Sequence, residues 1–498
     1  MSRSSTARPK TGRQLLGEWR ALPLGTLVAS VLSAVVAPAV SPAIGQAPAT
    51  AATSAVLPSA PDREARLFAL SLLWSEARRS FAYFDKLGPG FNWDSVYRAA
   101  IPRMLAADDY PTYVRELQRF LATLRDGHTL VPVPSALFEA RHWDGPWVSL
   151  RALGRRAVVA NTDSVLADSV PLGAEVIEVD GTPLATLVER DVLPYLAASA
   201  PHVWWSDAIR YNGRTGLGVL AGRADAPIAL TLERADGSRR TVRLRRDRGG
   251  RSSAWIRPAP AAALVESRAL ADGVLYVAIN SFNDTTLAAR LAELRPQMEQ
   301  ARAIVLDLRR NPGGNSGNGY RALTEHFATR PFTTSAWKSR MEIQARRAWG
   351  KQDAERGAVT ENRRHWEGAV WFESPGQRME PTPRVLPPRI PIAVLIGRVT
   401  GSAAEDFLIA ADGDPRFTLV GEPTNGSTGQ PLFLSLPGGV TAWICTKRDT
   451  YPDGREFVGR GIEPQVTALE TVESVRAGTD VALEAGVRVV KERLAKGR

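Results

Sequence analysis

The sequence predicts a multidomain α+β protein, because the periodicity of its apolar residues changes twice along 498 residues. Helical spacing runs from Asp62 to Arg125, short alternating β runs follow Trp147, and strands alternate with helices from Gly273 onward. At roughly 150 residues per domain, the length accommodates about three such units.

The N-terminal residues 1–20 are polar and basic, and Leu22 to Val40 then runs apolar without a charge before the small residues Gly45, Gln46 and Ala47. This is the layout of a secretory signal peptide, predicted over 1–47, with a small, proline-containing linker over 48–61. The apolar run also lies near the lower limit for a membrane span, so an uncleaved anchor is the other reading; no other stretch is long and apolar enough.

A helical domain is expected over 62–142, where Val114, Leu117, Leu121 and Leu124 mark one helix face. It should stop at Arg125-Asp126-Gly127-His128, with Gly127 in the character of a helix C-cap. A β-rich module follows over 145–248, with the runs VSLRAL, RAVVANT, AEVIEVDG and IALTLERADGSRRTVRLRR and turn signals at Asp180-Gly181 and Asp236-Gly237. Its segment from Pro171 to Leu184 has the cadence of a PDZ domain, whose open strand edge accepts an extended peptide. The last unit, 255–490, alternates GVLYVAI, RAIVLDL, YRALTEHFAT, IAVLIG and SAAEDFLIAA, which argues for an α/β domain with largely parallel pairing. Between Trp349 and Ile390 lies a polar, proline-rich stretch too long for an ordinary connection, either a lid or an insertion.

Composition narrows the function. The chain is 44% hydrophobic and 23% charged, an ordinary globular balance. Of the net charge of +11, the first 47 residues carry +4 and the remainder is spread without a long basic run, so a nucleic-acid groove is not indicated. The single cysteine, Cys445, excludes an intrachain disulfide and any cysteine-built zinc or iron–sulfur site. Only seven of the 63 basic residues are lysines, so a lysine-based mechanism has few candidates.

Two constellations can carry chemistry. The glycine-rich loop Asn311 to Gly319 follows a buried strand and opens a helix, but it ends Gly-Tyr-Arg and lacks the Gly-Lys-Ser/Thr of a phosphate-binding loop. Its Gly313 and Gly314 leave backbone N–H groups accessible to an oxyanion; the plainer reading is a turn before a helix. The second, Thr400-Gly401-Ser402-Ala403-Ala404-Glu405-Asp406-Phe407, follows an apolar strand and starts a helix. Ser402 and Glu405 satisfy a capping box, and a serine on a tight strand-to-helix turn is equally the setting of a nucleophile. A serine nucleophile needs a base. Of His128, His142, His202, His326 and His365, the first is best placed, because a helix C-terminus before it would favour the imidazolium; His326 reads as packed, and the other three have no motif around them.

Asp307-Leu308-Arg309-Arg310-Asn311-Pro312-Gly313-Gly314, the Ser402 segment, Val420-Gly421-Glu422-Pro423-Thr424-Asn425-Gly426 and Gly459-Arg460-Gly461-Ile462-Glu463-Pro464 occur in order. In that order and approximate spacing the sequence resembles the tail-specific serine peptidases, which include the C-terminal processing proteases and the tricorn core protease, over about residues 62–470. The resemblance implies a crotonase-like α/β catalytic domain, Ser402 as nucleophile, and an oxyanion hole from the Ala403 N–H and a glycine N–H of Gly313 or Gly314. The C-terminal processing branch carries a lysine base after its Gly-Glu-x-Thr-x-Gly motif, whereas this chain has Ser427 there, and Lys447 is twenty residues further on. The chain therefore looks like the tricorn-like branch, with His128 as base. Gly127 replaces the serine that links that histidine to an acid, and the candidate acid is Glu456, with Asp453 and Asp126 behind it.

These readings converge on an exported, periplasmic or extracellular serine peptidase acting on proteins or oligopeptides. It is expected to use no metal or organic cofactor, to bind no nucleic acid and to keep no stable membrane span after signal cleavage. The alternatives are an inactive relative that binds hydrophobic ligands or peptides, like the family's retinoid-binding member, and a scaffold acting through the PDZ-like module.

Overall fold

The computed structural model describes residues 57–496 apart from 211–214, 259–262, 383–385 and 388. The expected signal peptide, 1–47, and most of the linker lie outside the described residues. No helix among the described residues is long and apolar enough to cross a membrane.

Three helices, Arg63–Ser80, Trp93–Leu105 and Tyr110–Ala122, open the described chain. Asp62, Asn92 and Asp109 start them, each side chain accepting a backbone N–H three residues on. Their apolar faces bury Leu70, Leu73, Tyr113, Leu117, Phe120 and Leu121, as the helical spacing predicts. The same core takes in Leu436, Val440, Ala442 and Ile444 from an antiparallel hairpin, Pro431–Leu436 with Val440–Cys445. A C-terminal hairpin thus completes the N-terminal helical layer.

The β-rich part is an antiparallel sheet in the order Val148–Leu153, Arg156–Thr162, Glu175–Val179, Pro227–Glu233 and Arg239–Arg245. Each strand coincides with a run read from the sequence. The helix Pro201–Ile209 packs on this sheet through Val203, Trp205, Ala208 and Ile209.

The last part is built on a six-stranded sheet in the order Val466–Thr467, Phe417–Gly421, Ile392–Ile396, Ala303–Asp307, Val274–Ile279 and Val265–Ala269. Neighbouring strands are parallel except at the Val265 edge. The central strands 303–307 and 392–396 are wholly buried, which explains their unbroken apolar runs. One face is covered by the helices Leu287–Gln300 and Ala403–Ala411, with Phe282, Leu291 and Phe407 between. The other packs on the helix Val481–Lys496 through Val305, Leu395, Ala485 and Val490. The polar stretch after Trp349 includes much of a helical pair, Gln344–Glu355 and Glu361–Trp366, inserted between the paired strands Ala336–Arg340 and Trp371–Ser374.

Phe407 is fully buried on the helix that follows Ser402, 5.6 Å from Phe282 and 6.3 Å from Phe327 by ring centroid. Phe407→Ala should cost about 3–5 kcal/mol in unfolding free energy, checked by urea denaturation.

Candidate active site

The strand Ile392–Ile396 delivers the chain into a turn pinned by Thr400, whose hydroxyl donates to the Leu308 carbonyl (2.9 Å) and accepts from the Gly397 N–H (3.1 Å). Ser402 follows with φ +55° and ψ −125°, a conformation rare outside glycine. Its N–H is anchored to the Ser427 carbonyl (3.0 Å) and to Glu405 Oε2 (3.1 Å), which leaves its side chain at the mouth of the helix Ala403–Ala411.

Against this serine stands a residue 274 positions earlier: His128 Nε2 is 3.1 Å from Ser402 Oγ. The other ring nitrogen, Nδ1, is 2.9 Å from Ser427 Oγ. With Nδ1 protonated and donating to Ser427, Nε2 is left to accept from Ser402. The expected helix C-cap at Gly127 is corrected here: the helix ends at Ala122, and the residue with positive φ is Arg125 (+49°). The helix therefore ends six residues before His128. Gly127 matters through its missing side chain, because a Cβ there would lie 2.6 Å from Ser427 Oγ.

Asp126 holds the histidine turn. It is buried and accepts from Thr129 Oγ1 (2.7 Å), the His128 N–H (3.2 Å) and Ser199 Oγ (3.1 Å), while Ser199 Oγ accepts the Gly127 N–H (3.0 Å). Burial pushes the Asp126 carboxyl up to about 6.

Glu456, the acid expected to orient His128, is corrected by its position: one carboxylate oxygen bonds Lys86 Nζ (2.7 Å), the other lies 3.9 Å from Arg448, and the side chain is 42% exposed. Ser427 occupies the place at Nδ1 that Glu456 was to fill. Asp453 bonds Arg455 (2.7 Å), and Lys447 bonds the buried Asp449 (2.6 Å). Besides Asp126, the acid that reaches the site is Glu405. Its Oε1 accepts from Thr424 Oγ1 (2.5 Å) and the Gly426 N–H (2.7 Å), its Oε2 from the N–H groups of Ser402 (3.1 Å) and Ser427 (3.2 Å). Burial is the largest influence on this carboxyl and pushes it up to about 8 against the four donors.

The glycine loop lies against the Ser402 turn. Gly313, at φ +98°, would place a Cβ 2.6 Å from both the Gly401 carbonyl and Ser402 Cβ, so only glycine fits. The Gly313 N–H is engaged by Asn311 Oδ1 (2.9 Å), whereas those of Gly314 and Ala403 have no acceptor among the described residues. Of the expected pair, Gly314 is the glycine with an available donor.

Sequence reasoning set aside His202, yet its Nε2–H donates to the Thr424 carbonyl (2.7 Å), tying the helix Pro201–Ile209 to the loop that engages Glu405. Ser199 was also missed; neither residue sits in a recognisable motif, and both act across large sequence separations. His326 and His365 are buried, and His142 packs edge-on to Trp143. Among the described residues, no group of three His, Cys, Asp or Glu could hold a metal ion.

Residues 273–468 match the model of peptidase family S41. Over these residues the chain is similar to peptidase family S41. The match marks the protein as a serine-type peptidase. In structure it is similar to mature CPAF complexed with lactacystin, with 16% identity and a TM-score of 0.64 over 88% of this chain and 99% of that one. Mature CPAF gives 16% identity and 0.64 over 87% and 98%. At this identity the likeness is one of fold, and it extends through the helical and β-rich parts. No curated protein matches the sequence.

Two outcomes test the geometry. Ser427→Gly and Gly127→Ala should each lower kcat about 10- to 100-fold with KM little changed, and the double variant should lose no more than the worse single, because both remove one hydrogen bond to His128. In addition, burial raises Asp449 to about 7 and Glu405 to about 8, so the folded state retains protons that the unfolded chain has lost. Unfolding free energy should fall as pH rises from about 7 to about 8, a window above the ordinary histidine range, where buried His326, lowered to about 4, no longer opposes the trend. Urea titrations at the two pH values check it; a rise in stability would contradict it.

Proposed function

We propose that Ser402 is the nucleophile and His128 the general base of an exported endopeptidase or oligopeptidase. The single observation that carries this reading is the continuous contact from Ser402 Oγ to His128 Nε2 and from Nδ1 to Ser427. Ser402 attacks the peptide carbonyl as His128 Nε2 takes its proton, and the imidazolium keeps its Nδ1–H on Ser427. The N–H groups of Gly314 and Ala403 receive the oxyanion; loss of one such donor typically costs about 10²–10³ in rate. His128 then returns the proton to the leaving amine, the bond to carbon breaks, and water activated by the same imidazole hydrolyses the acyl-enzyme.

Ser427 in place of a lysine, and Lys447 committed to Asp449, both support histidine over lysine as base. The layout of residues 1–47 supports export, and the cadence from Pro171 to Leu184 supports a PDZ-like role for the β-rich sheet in selecting substrate, on a crotonase-like catalytic domain. Lactacystin, present in the complex with CPAF, is a candidate ligand of this chain.

Labelling by a fluorophosphonate probe and hydrolysis of a denatured protein substrate should both vanish in Ser402→Ala, with stability changed by about 1 kcal/mol or less. With a histidine base, kcat/KM should rise through the ordinary histidine range of about 6–7 and then level, and His128→Ala should abolish it. A rate climbing to about pH 10 that is lost in Lys447→Ala would assign the base to lysine instead.

A further inference from the structure

A cleft of about 460 Å³ lies apart from Ser402, where the helix Tyr110–Ala122 meets the β-rich sheet. Its floor is apolar, formed by the buried Val179, Val192, Leu217 and Val219, and the half-buried Trp143 forms one wall. Four arginines, Arg115, Arg190, Arg223 and Arg246, face two carboxylates, Asp180 and Asp191.

The cationic excess is built in. Arg190 is neutralised by Asp191 through two contacts of 2.7 and 2.8 Å. Arg246 is buried, donates to the carbonyls of Leu220 (3.1 Å) and Pro227 (2.7 Å), and has Asp180 only at 3.5 Å. Arg223 is exposed and forms no ion pair among the described residues. Arg115 lies 3.9 Å over the Trp143 ring and donates to the carbonyls of Thr215 (3.2 Å) and Gly216 (2.9 Å) and to Gln118 Oε1 (2.7 Å), so its guanidinium is held before any ligand arrives. The loop closes tightly on these groups: a Cβ at Gly216 would meet Trp143 at 2.6 Å, and one at Gly222 would meet Arg246 at 2.5 Å. The field reaches the adjoining His142, which burial lowers most and Arg223 and Arg115 lower further.

We propose that this cleft is a second polypeptide-binding site, which takes an acidic side chain between its arginines and an apolar neighbour on its floor. A carboxylate would supply the counter-charge that Arg223 lacks among the described residues, beside the Arg246–Asp180 pair, and the valine and leucine floor would remove an adjacent apolar side chain from water. Because the chain is a peptidase, the fitting ligand is an extended acidic–apolar segment of a substrate held away from the scissile bond. The proposal rests on that reading only for the ligand being a polypeptide.

The test uses the full-length Ser402→Ala protein, so that binding is measured without cleavage. A fluorescein-labelled peptide alternating glutamate and leucine should bind in anisotropy titrations, and its glutamine counterpart should bind about tenfold or more weakly. Arg223→Glu should raise the Kd of the acidic peptide about tenfold or more, and Arg223→Lys should largely preserve it. In the protein with Ser402 intact, Arg223→Glu should raise KM for a long acidic substrate while leaving kcat, short-peptide hydrolysis and fluorophosphonate labelling unchanged. Equal binding of the two peptides, or indifference to Arg223→Glu, would overturn the proposal, as would full displacement by millimolar inorganic phosphate, which would make this a small-anion site. Binding that behaves as expected in a chain that hydrolyses nothing would support the cleft and count against the Ser402 reading, so the two fail separately.

Discussion

The burial of one carboxylate organises the site. Glu405 sits at the third position of the helix Ala403–Ala411, and a charged or polar acid placed there out of water requires partners. Four donors converge on it from two loops, Ser402 on one side and Thr424, Gly426 and Ser427 on the other. Satisfying that single group therefore sets the distance between the serine turn and the 424–427 loop. The unusual backbone of Ser402 is held by the same bonds, and it draws the turn so close to Gly313 that no Cβ fits between them.

The site depends on all three parts of the fold. His128 comes from beyond the helical layer, Ser199 and His202 from the segment packed on the β-rich sheet, and Ser402 and Ser427 from the parallel sheet's loops. The helical layer is in turn tied to the C-terminal part by the hairpin 431–445, whose Trp443 exchanges backbone hydrogen bonds with Leu130 at 3.1 and 2.8 Å, two residues past His128. Packing of the N-terminal core thus positions His128, and a contact among apolar side chains becomes a constraint on the distance from His128 to Ser402.

The exchange at positions 127 and 427 shows how one hydrogen bond can be supplied from either side of a histidine. The sequence has glycine where the tricorn-like pattern places a serine, and serine where the processing branch places a lysine. These departures become one feature in space, since the Ser427 hydroxyl occupies the room that a side chain at 127 would need. Asp126 then orients the turn from below through its backbone and hydroxyl contacts, without bonding the imidazole's Nδ1.

Periodicity and local motifs determined the strands, the order of the three parts, the strand-to-helix turn at Ser402 and the glycine loop, because each depends on residues close together in the chain. Tertiary structure decided what fills the space around them. Ser427 rather than Glu456 meets His128 across a separation of 299 positions, Gly314 rather than Gly313 retains an available N–H, and His202 reaches Thr424 from 222 positions away. Capping preferences and apolar spacing act over a few residues, whereas these choices turn on ångström distances between loops that the sheets and the buried Glu405 hold in place.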